Sequence, residues 1–381
     1  MRDCASYKRV YETLKREILG GKYSVSNSFP SSTALARRFG ITRFTVRQAL
    51  NILTKEGLIR SQCGRGTFLT KTGSNRQIGL IVPGIVYSEF YPPLVSDLSH
   101  ICQSNGYVMM FGDVSSSDAA VRAEQAQGIA ANFIKQGVSG VIFQPIELLD
   151  RSEDLNRRIL DAFDKAGIPV VLLAYDAMLS PRFRRHDVVG MNNFDAGWIL
   201  GEHLASVGAK NVQFVLRPCW SPSGFARLHG VAAALQCAGR GGWSWRNVLR
   251  ANPDDVAAVR AHLRVHAKAD AFICGCDEDA MLLQKTLRRL NREVPKDVLL
   301  AGFDDVRYAT VMSPKLTTIR QPHNEIAAMA FRALLERMDD QSLPVREIYL
   351  PATLVEREST VRPRMVHDRN RRKSLGKESR K

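Results

Sequence analysis

Residues 29–70 read FPSSTALARRFGITRFTVRQALNILTKEGLIRSQCGRGTFLT, and this stretch decides the fold of the first part of the chain. Ser31 has a side chain that can accept a hydrogen bond at the start of a short helix over 32–39. Thr42 can do the same for a longer helix over 43–56. The pattern therefore predicts two helices joined by a tight turn.

The longer helix has two unlike faces. Its apolar residues recur at helical spacing and form a stripe that should pack inward: Val46, Ala49, Leu50 and Leu53. The opposite face is mostly polar: Arg43, Phe44, Arg47, Gln48 and Asn51. Arginine, glutamine and asparagine pair with phosphates and base edges, so this face fits a DNA major groove. We predict that this helix reads DNA.

A tight two-stranded wing is predicted after the helices. Residues 58–60 and 67–69 are the predicted strands, and they flank a turn that ends in Gly-Arg-Gly. The glycines permit the turn and leave Arg65 at its tip. Gly64 and Arg65 are therefore included among the predicted DNA contacts.

The order of these motifs resembles the winged helix-turn-helix domain of the GntR family of bacterial transcription regulators. The matching segments are T-R-x-T-V-R-x-A-L, E-G-L-I and G-x-G-T-F. In that family the T-R-x-T-x-R segment and the glycine at the wing tip contact DNA. The resemblance implies such contacts for Thr42, Arg43, Thr45, Arg47 and Gly64. It also implies double-stranded operator DNA as a partner, bound by a homodimer whose two heads meet two half-sites.

Charge is concentrated at the two ends of the chain. Residues 1–76 contain 15 Lys and Arg against four Asp and Glu, and residues 362–381 contain nine against two. The residues between them contain 30 against 32. A near-neutral body beside a strongly basic segment indicates a polyanionic partner for that segment. The basic end, 362–381, is predicted to be a disordered tail that either adds nonspecific DNA affinity or is simply solvated.

The seven cysteines predict no disulfide framework, because their number is odd and they are scattered along the chain. No apolar run has the length of a signal peptide or a membrane span, so we expect a cytoplasmic protein with no membrane association. Cys274 and Cys276 are separated by one glycine, but no CxxC motif or histidine pair at ligand spacing accompanies them. We therefore expect no metal site and no cofactor.

From Ile78 onward, short apolar runs alternate with helical patterns. The predicted strands are 78–82, 107–111, 140–143, 169–174, 188–191, 212–216, 271–274 and 298–302. This alternation is typical of doubly wound parallel sheets. The number of units exceeds what one sheet usually holds, so we predict an α/β body of two lobes.

The second resemblance covers residues from Gln77 to about Thr360. Its motifs include N-N-F-D-A-G at 192–197, A-G-F-D-D at 301–305 and L-T-T-I-R-Q at 316–321. They resemble the sensor domain of LacI/GalR-type regulators, a relative of periplasmic sugar-binding proteins. A GntR head on such a body resembles the arabinose-responsive AraR type of repressor.

The predicted domain organisation follows from these two resemblances. Residues 1–69 form the DNA-binding domain, 70–77 a linker and 78–361 the sensor body. The resemblance divides the body into lobe one, comprising 78–189 and 320–344, and lobe two, comprising 190–319 and 345–361. The chain would then cross between the lobes three times, through short segments that suit a hinge.

The resemblance also implies a ligand site, and its positions map onto Tyr87, Glu89, Phe90, Asp176, Ser221, Ser223, Arg227, Cys276, Asp304 and Gln321. The implied ligand is a small-molecule effector, most simply a sugar. Carboxylates accept hydrogen bonds from sugar hydroxyls, arginine and glutamine donate in fixed planes, and an aromatic ring covers the apolar face. Structural alternatives remain for single residues: Asp304 could cap the following turn, Phe90 could belong to the core, and Arg227 could lie on the surface.

These features together predict a ligand-responsive transcription regulator, a repressor of a carbohydrate-utilisation operon that a sugar releases from its operator. The alternative is a regulator of the same architecture that senses a different small molecule or uses it as a co-repressor. An enzyme is not expected, because the body has no P-loop, nucleophile elbow or GxGxxG motif. A transport binding protein is not expected either, because the chain carries a DNA-binding segment.

Overall fold

The computed structural model describes most of the chain. The described residues are 2–19, 23, 28–56, 58–62, 66–69, 76–85, 88–116, 118–147, 152–178, 180–218, 221–239 and 243–362. Gly64 and Arg65 at the predicted wing tip lie outside them, as do Tyr87, most of the predicted linker and nearly all of the predicted tail.

The head consists of three helices and a small antiparallel sheet. Its elements are α1 (Arg2–Leu19), β1 (Ser28–Phe29), α2 (Ser32–Phe39), α3 (Arg43–Lys55), β2 (Ile59–Gln62) and β3 (Gly66–Leu69). The Ser31 hydroxyl accepts from the Ala34 amide at 3.1 Å. Gly40, with φ of 64°, ends α2 in the left-handed region that glycine favours. The predicted helix-turn-helix and wing are thus present, and β1 adds a third strand that is too short for sequence periodicity to reveal.

One apolar core holds the head together. The stripe predicted on α3 is fully or nearly fully buried, and α1 contributes Val10, Leu14 and Ile18 to the same cluster. Each of the three strands contributes one buried residue to this core: Phe29, Ile59 and Leu69. Burying the apolar side of α3 fixes which side remains free.

The rest of the chain is built on two six-stranded sheets, which confirms the predicted α/β body of two doubly wound lobes. Unit 1 of the structure contains residues up to Asn192, Ser221–Ser223 and Pro322–Pro351, and unit 2 contains the remainder. Unit 1 carries the sheet in the order β14-β8-β7-β6-β4-β5 with all strands parallel. Its strands are β4 (Gln77–Val82), β5 (Val108–Asp113), β6 (Gly140–Phe143), β7 (Val170–Leu173), β8 (Asp187–Met191) and β14 (Glu347–Leu350). Its helices are α4 (Tyr91–Ser104), α5 (Ala119–Gln136), α6 (Ser152–Lys165) and α12 (His323–Asp339).

Unit 2 carries the sheet in the order β10-β9-β11-β12-β13-β15, parallel except for β15 at one edge. Its strands are β9 (Val212–Leu216), β10 (Val248–Arg250), β11 (Ala271–Cys274), β12 (Leu299–Asp304), β13 (Thr317–Arg320) and β15 (Thr353–Val355). Its helices are α7 (Asn193–Ser206), α8 (Pro222–Cys237), whose first two residues are assigned to unit 1, α9 (Val256–Val265), α10 (Asp277–Arg289) and α11 (Arg307–Val311).

The boundaries of the units differ from the predicted lobe boundaries. Apart from the short segment Ser221–Ser223, the chain leaves unit 1 after residues 192 and 351 and enters it again at 322. The largest difference is at the last crossing, which we predicted at 344. β14 pairs in parallel with β8 and so belongs to unit 1, whereas the sequence pattern placed 345–361 in the second lobe. Pairing between strands about 160 positions apart left no local signal in the sequence.

A buried ion cluster fixes this last segment to unit 1. Asp187 at the start of β8 is fully buried, and its carboxylate accepts from Arg337 at 2.7 and 3.0 Å and from Arg346 at 2.7 Å. Arg337 also donates to the carbonyl oxygens of Gln341, Leu343 and Pro344. Burial alone raises the pKa of Asp187, but the hydrogen bonds from the two arginines outweigh it and hold that pKa below its ordinary value. The carboxylate is therefore charged and compensated.

Replacing Arg337 with methionine should destabilise unit 1 by about 3–5 kcal/mol, because it leaves the buried Asp187 carboxylate and three carbonyl oxygens short of donors. Arg332→Met is the matched control, since the Arg332 side chain is 72% exposed and pairs only with Glu336 on the same helix. We expect the control to lose less than about 1 kcal/mol. Urea unfolding followed by circular dichroism measures both, and equal losses in the two variants would contradict this account of the cluster.

Candidate DNA-binding face and effector site

The face of α3 that points away from the core of the head is open. Arg43, Arg47, Gln48 and Asn51 are exposed, and Phe44 is 71% exposed. A large aromatic side chain that is left this open on a helix between two arginines suits contact with sugar or base methyl groups of DNA. The structure thus places five of the residues that form the predicted polar face on one exposed surface.

The two arginines of this face are free of internal acidic partners. Among the described residues, neither Arg43 nor Arg47 forms an ion pair, whereas other cations of the head do. Arg38 pairs with Glu17 at 2.7 Å, and Lys15 pairs with Glu56 at 3.0 Å. Cations that are not neutralised within the head are the ones available to phosphates.

Thr42 and Thr45, unlike the other predicted DNA contacts on α3, pair with each other at the start of the helix. Their hydroxyl oxygens are 2.8 Å apart, and the Thr42 hydroxyl also accepts from the Thr45 amide at 3.3 Å. Thr45 is 2% exposed. A DNA contact by Thr45 stays a prediction, and its burial favours a role in fixing the start of α3 over direct contact with a base.

In unit 1, two predicted effector residues carry acceptor atoms that the protein leaves unused. One carboxylate oxygen of Asp176, which follows β7, accepts from the Met178 amide at 2.8 Å. Its other oxygen is buried without a hydrogen-bond partner among the described residues, although the Arg184 Nε lies 3.5 Å away. Burial raises the pKa of this carboxyl, and the Met178 amide and Arg184 oppose that rise. The Glu89 Oε2 atom, in the segment after β4, is likewise buried and has no partner in the part of the chain that the structure describes.

Phe90, a predicted effector residue, packs against other aromatic rings and the core of unit 1. Its ring lies 4.9 Å from the ring of His323 and 5.2 Å from that of Tyr91, and it packs at the margin of the apolar cluster of unit 1. Both alternatives stated for this residue are therefore compatible with its place. Ser221 and Ser223 are also assigned to this unit, and their hydroxyl oxygens are 3.1 Å apart.

Sequence reasoning missed Gln144. It follows β6 directly, is 3% exposed and has a side-chain oxygen without a partner among the described residues. It lies beside Tyr175, whose hydroxyl donates to the carbonyl oxygen of Pro145 at 3.0 Å. The available signal was a polar residue at the carboxyl end of a fully apolar strand, a position where ligands of parallel sheets bind.

Unit 2 brings together Arg227, Asp304, Gln321 and Cys276. The Arg227 guanidinium lies 3.1 Å from an Asp304 oxygen that also accepts from the Gln321 amide at 2.7 Å. It further donates to the Asn193 side chain at 2.9 Å and to the Gly275 carbonyl at 2.7 Å. Arg227 is 6% exposed, so the alternative of a surface arginine does not hold.

Two further observations define this network. Asp304 has φ of 105°, which is unfavourable for a residue with a side chain and is maintained only by its surroundings. It does not cap α11, because Val306 begins that helix without a side-chain cap and donates its amide to Asp277 at 3.0 Å. Burial raises the pKa of the Cys276 thiol, and the nearby Asp279 and Asp304 raise it further, so this thiol is protonated.

Close contact between two helices positions Arg227. A Cβ atom on Gly197 of α7 would lie 2.0 Å from the Arg227 carbonyl oxygen, and one on Gly230 of α8 would lie 2.0 Å from the Phe194 carbonyl oxygen. Only glycine fits at these two positions. The short distance between the helices lets the Arg227 side chain reach Asn193 on its neighbour.

The described residues contain no group of three or more His, Cys, Asp or Glu side chains placed to hold a metal ion. None of the helices in the same part of the chain combines the length and apolarity needed to cross a membrane.

Comparisons with known proteins match both parts of the chain. The profile of the bacterial regulatory proteins of the gntR family matches residues 6–69, and that of the periplasmic binding protein-like domain matches 202–360. An arabinose metabolism transcriptional repressor of Geobacillus stearothermophilus is 26% identical over 92% of this chain and 97% of its own length. One from Halalkalibacterium halodurans is 24% identical over 93% of this chain and 96% of its own length.

Solved structures show the same fold. The transcriptional regulator CelR in complex with cellobiose has a TM-score of 0.65 at 20% identity and covers 87% of this chain and all of its own. A LacI family regulator from Enterococcus faecium with bound ribose has a TM-score of 0.60 at 23% identity and covers 75% of this chain and 99% of its own. The chain therefore combines a head that matches the gntR family of bacterial regulatory proteins with a body that matches the periplasmic binding protein-like domain, and it is similar along nearly its whole length to transcriptional repressors.

Proposed function

We propose that the chain is a homodimeric repressor of a carbohydrate-utilisation operon, which a sugar releases from operator DNA in the cytoplasm. The observation that carries the proposal is the exposed face of α3, where Arg43 and Arg47 have no ion-pair partner among the described residues. This face belongs to a chain that aligns with arabinose metabolism repressors along nearly its whole length. The proposal includes no catalytic activity.

The DNA site of the proposal comprises Thr42, Arg43, Phe44, Thr45, Arg47, Gln48, Gly64 and Arg65. Exposed arginines on a helix supply both phosphate contacts and bidentate pairs with guanine. Thr42 and Thr45 hold the start of that helix through their paired hydroxyls. A symmetric dimer would present two such helices to the two halves of a palindromic operator.

The effector site of the proposal comprises Tyr87, Glu89, Phe90, Asp176, Ser221, Ser223, Arg227, Cys276, Asp304 and Gln321, together with Gln144. Buried acceptors in unit 1 need donors, and a sugar supplies several hydroxyl donors at once. Two solved structures of similar fold contain a bound sugar: CelR is in complex with cellobiose, and the Enterococcus faecium regulator has bound ribose. Arabinose, ribose and cellobiose are therefore the first probes to test.

Arg47→Ala should weaken operator binding by about 1–3 kcal/mol and relax base preference at one position of each half-site. Arg260→Ala removes the same charge from an exposed position in unit 2 and is the matched control. Fluorescence anisotropy at fixed salt, on the operator and on single-base variants of it, measures both effects. If the two variants bind the operator equally well, Arg47 is not a base-reading residue.

Saturating sugar should lower operator affinity by about 5- to 150-fold, the usual range of coupling between two sites. The measurement is anisotropy of labelled operator with and without L-arabinose, D-ribose or cellobiose, and sucrose at equal concentration controls for general solute effects. Tighter binding in the presence of the sugar would mean a co-repressor. The same ligand at a hundredfold excess over its Kd should add about 2.7 kcal/mol of apparent stability to the chain.

Asp304→Ala should abolish the response to sugar and leave operator binding without sugar unchanged. The carboxylate aligns Arg227 and Gln321, so its loss frees both donors and misplaces the network. Asp254→Ala, at an exposed position in the same unit, is the control. Calorimetry with the active sugar tests the variant, and an unchanged Kd would remove Asp304 from the site.

A further inference from the structure

Phe44 is the one large apolar side chain that lies exposed in the part of the head that the structure describes. It is 71% exposed, whereas the other large apolar residues of α1, α2 and α3 whose side chains are described are buried or partly buried. Leaving an aromatic ring in water is unfavourable, and phenylalanine forms helices less readily than alanine. Neither the packing of the head nor the stability of α3 therefore explains this residue.

Phe44 lies at the centre of the free face of α3. Successive residues are about 100° apart around a helix axis, so Phe44 projects about 170° away from the middle of the buried stripe of α3. By the same spacing, Gln48 and Asn51 project in nearly the same direction, and Arg43 and Arg47 lie together on one flank. All of these side chains are exposed. The ring is thus surrounded by groups that bind base edges and phosphates.

Phe44 also belongs to the first turn of α3. The Thr42 hydroxyl caps this turn by accepting from the Thr45 amide, and Thr45 itself is 2% exposed. When a helix enters a DNA major groove, the residues at its amino end contact the base edges. Phe44 is therefore the apolar side chain that this end of the helix presents to the bases.

The chemistry of the major groove restricts what can cover an aromatic ring there. Base edges present hydrogen-bond donors and acceptors, and the C5-methyl group of thymine is the apolar group among them. Phosphate oxygens are charged and strongly hydrated, so they pair with the arginines and gain little from phenylalanine. A thymine methyl group is thus the partner that removes the ring from water and leaves the neighbouring polar side chains free to bind.

We infer that Phe44 is a specificity-determining residue that packs on the C5-methyl group of one thymine in each half of the operator. The inference rests on the proposed function and names a chemical group that its DNA site recognises. Residues three positions apart on a helix lie about 5–6 Å apart, and base pairs stack about 3.4 Å apart. This thymine therefore lies within about two base pairs of the base that Arg47 reads.

Replacing thymine with uracil tests the contact, because it removes the methyl group and keeps every hydrogen-bonding group. We would select a tightly bound duplex from a randomised pool with the full chain, and then replace each thymine with deoxyuridine in both half-sites together. Fluorescence anisotropy should show binding weaker by about 5- to 20-fold at one thymine of the half-site, since one buried methyl contact is lost in each half. A profile in which no thymine is sensitive to the loss of its methyl group would overturn the inference.

Variants at Phe44 assign the sensitive methyl group to this ring. Phe44→Ala should weaken binding of the thymine duplex by about 5- to 20-fold and should bind the matching uracil duplex equally well, to within about twofold. Phe44→Leu keeps an apolar side chain and should retain part of the preference for thymine. Phe183→Ala is the matched control, because Phe183 is 62% exposed between β7 and β8. If Phe44→Ala still prefers thymine as strongly as the wild type does, Phe44 does not make this contact.

Salt dependence separates a methyl contact from an indirect effect on the phosphates. The slope of log K against log salt concentration reports how many phosphates the protein neutralises. This slope should be the same in Phe44→Ala as in the wild type, because the ring carries no charge. A shallower slope in the variant would mean that the ring positions the neighbouring arginines on phosphates, which contradicts direct recognition of a methyl group.

Stability and size measurements exclude the other roles of an exposed ring. The Tm of Phe44→Ala should equal or slightly exceed that of the wild type, since the ring is exposed and alanine favours the helix. A lower Tm with equal loss of binding to every duplex would assign Phe44 to the folding of the head and overturn the inference. A changed molar mass by light scattering would assign it to contact between copies of the chain, with the same consequence.

The selection experiment also separates this inference from the proposed function. If the full chain selects no duplex from the pool, the proposed DNA-binding function fails and the inference fails with it. If it selects a palindromic duplex in which no thymine methyl group affects binding, the proposed function stands and only the reading of thymine by Phe44 is overturned. A sensitive thymine that loses its effect in Phe44→Ala supports both.

Discussion

The guanidinium of Arg227 organises the polar network at the strand ends of unit 2. This one side chain, carried by α8, joins α7 through Asn193, the end of β11 through Gly275 and the end of β12 through Asp304. Burying a charge is unfavourable unless it is fully compensated, so the group is stable only where all these acceptors converge. That convergence in turn requires the close contact of α7 and α8 at their glycines. The close packing of α7 on α8 and the strained backbone of Asp304 thus both accompany one buried cation.

The predicted effector residues of units 1 and 2 differ in whether their hydrogen-bonding groups are paired within the protein. In unit 2, the donors of Arg227 and Gln321 meet acceptors within the same unit. In unit 1, Glu89, Gln144 and Asp176 each retain an acceptor that no described residue serves. A network whose hydrogen-bonding groups are all paired is rigid and prearranged. A network with unpaired groups can gain binding free energy when a ligand pairs with them. The unpaired acceptors of unit 1 can therefore gain hydrogen bonds from a ligand, whereas the orientation of the network in unit 2 depends on Arg227.

The sequence was most informative where structure is decided by neighbours in the chain. Ser31 and Thr42 mark the starts of α2 and α3 because helix caps are local hydrogen bonds. β14 was placed in the wrong lobe because its partner β8 is distant in sequence. Gln144 was missed because a polar residue at the carboxyl end of an apolar strand does not by itself show that its side-chain oxygen is left unpaired. Which acceptors remain unpaired is a property of the folded unit, and a pattern of residue types does not contain it.

If the proposed effector is a sugar without a charged group, the ways in which it can control DNA binding are restricted. The affinity of the head arises largely from its net positive charge, and a phosphate or carboxylate ligand would reduce operator binding by adding negative charge to the dimer. A neutral sugar adds none, so the electrostatic attraction between head and DNA is the same with and without it. The whole coupling free energy, typically about 1–3 kcal/mol, must then come from a difference in sugar affinity between two conformations of the chain. Because the buried acceptors of unit 1 that no described residue serves can gain hydrogen bonds from the hydroxyl groups of a sugar, they are a physical source from which that difference can come.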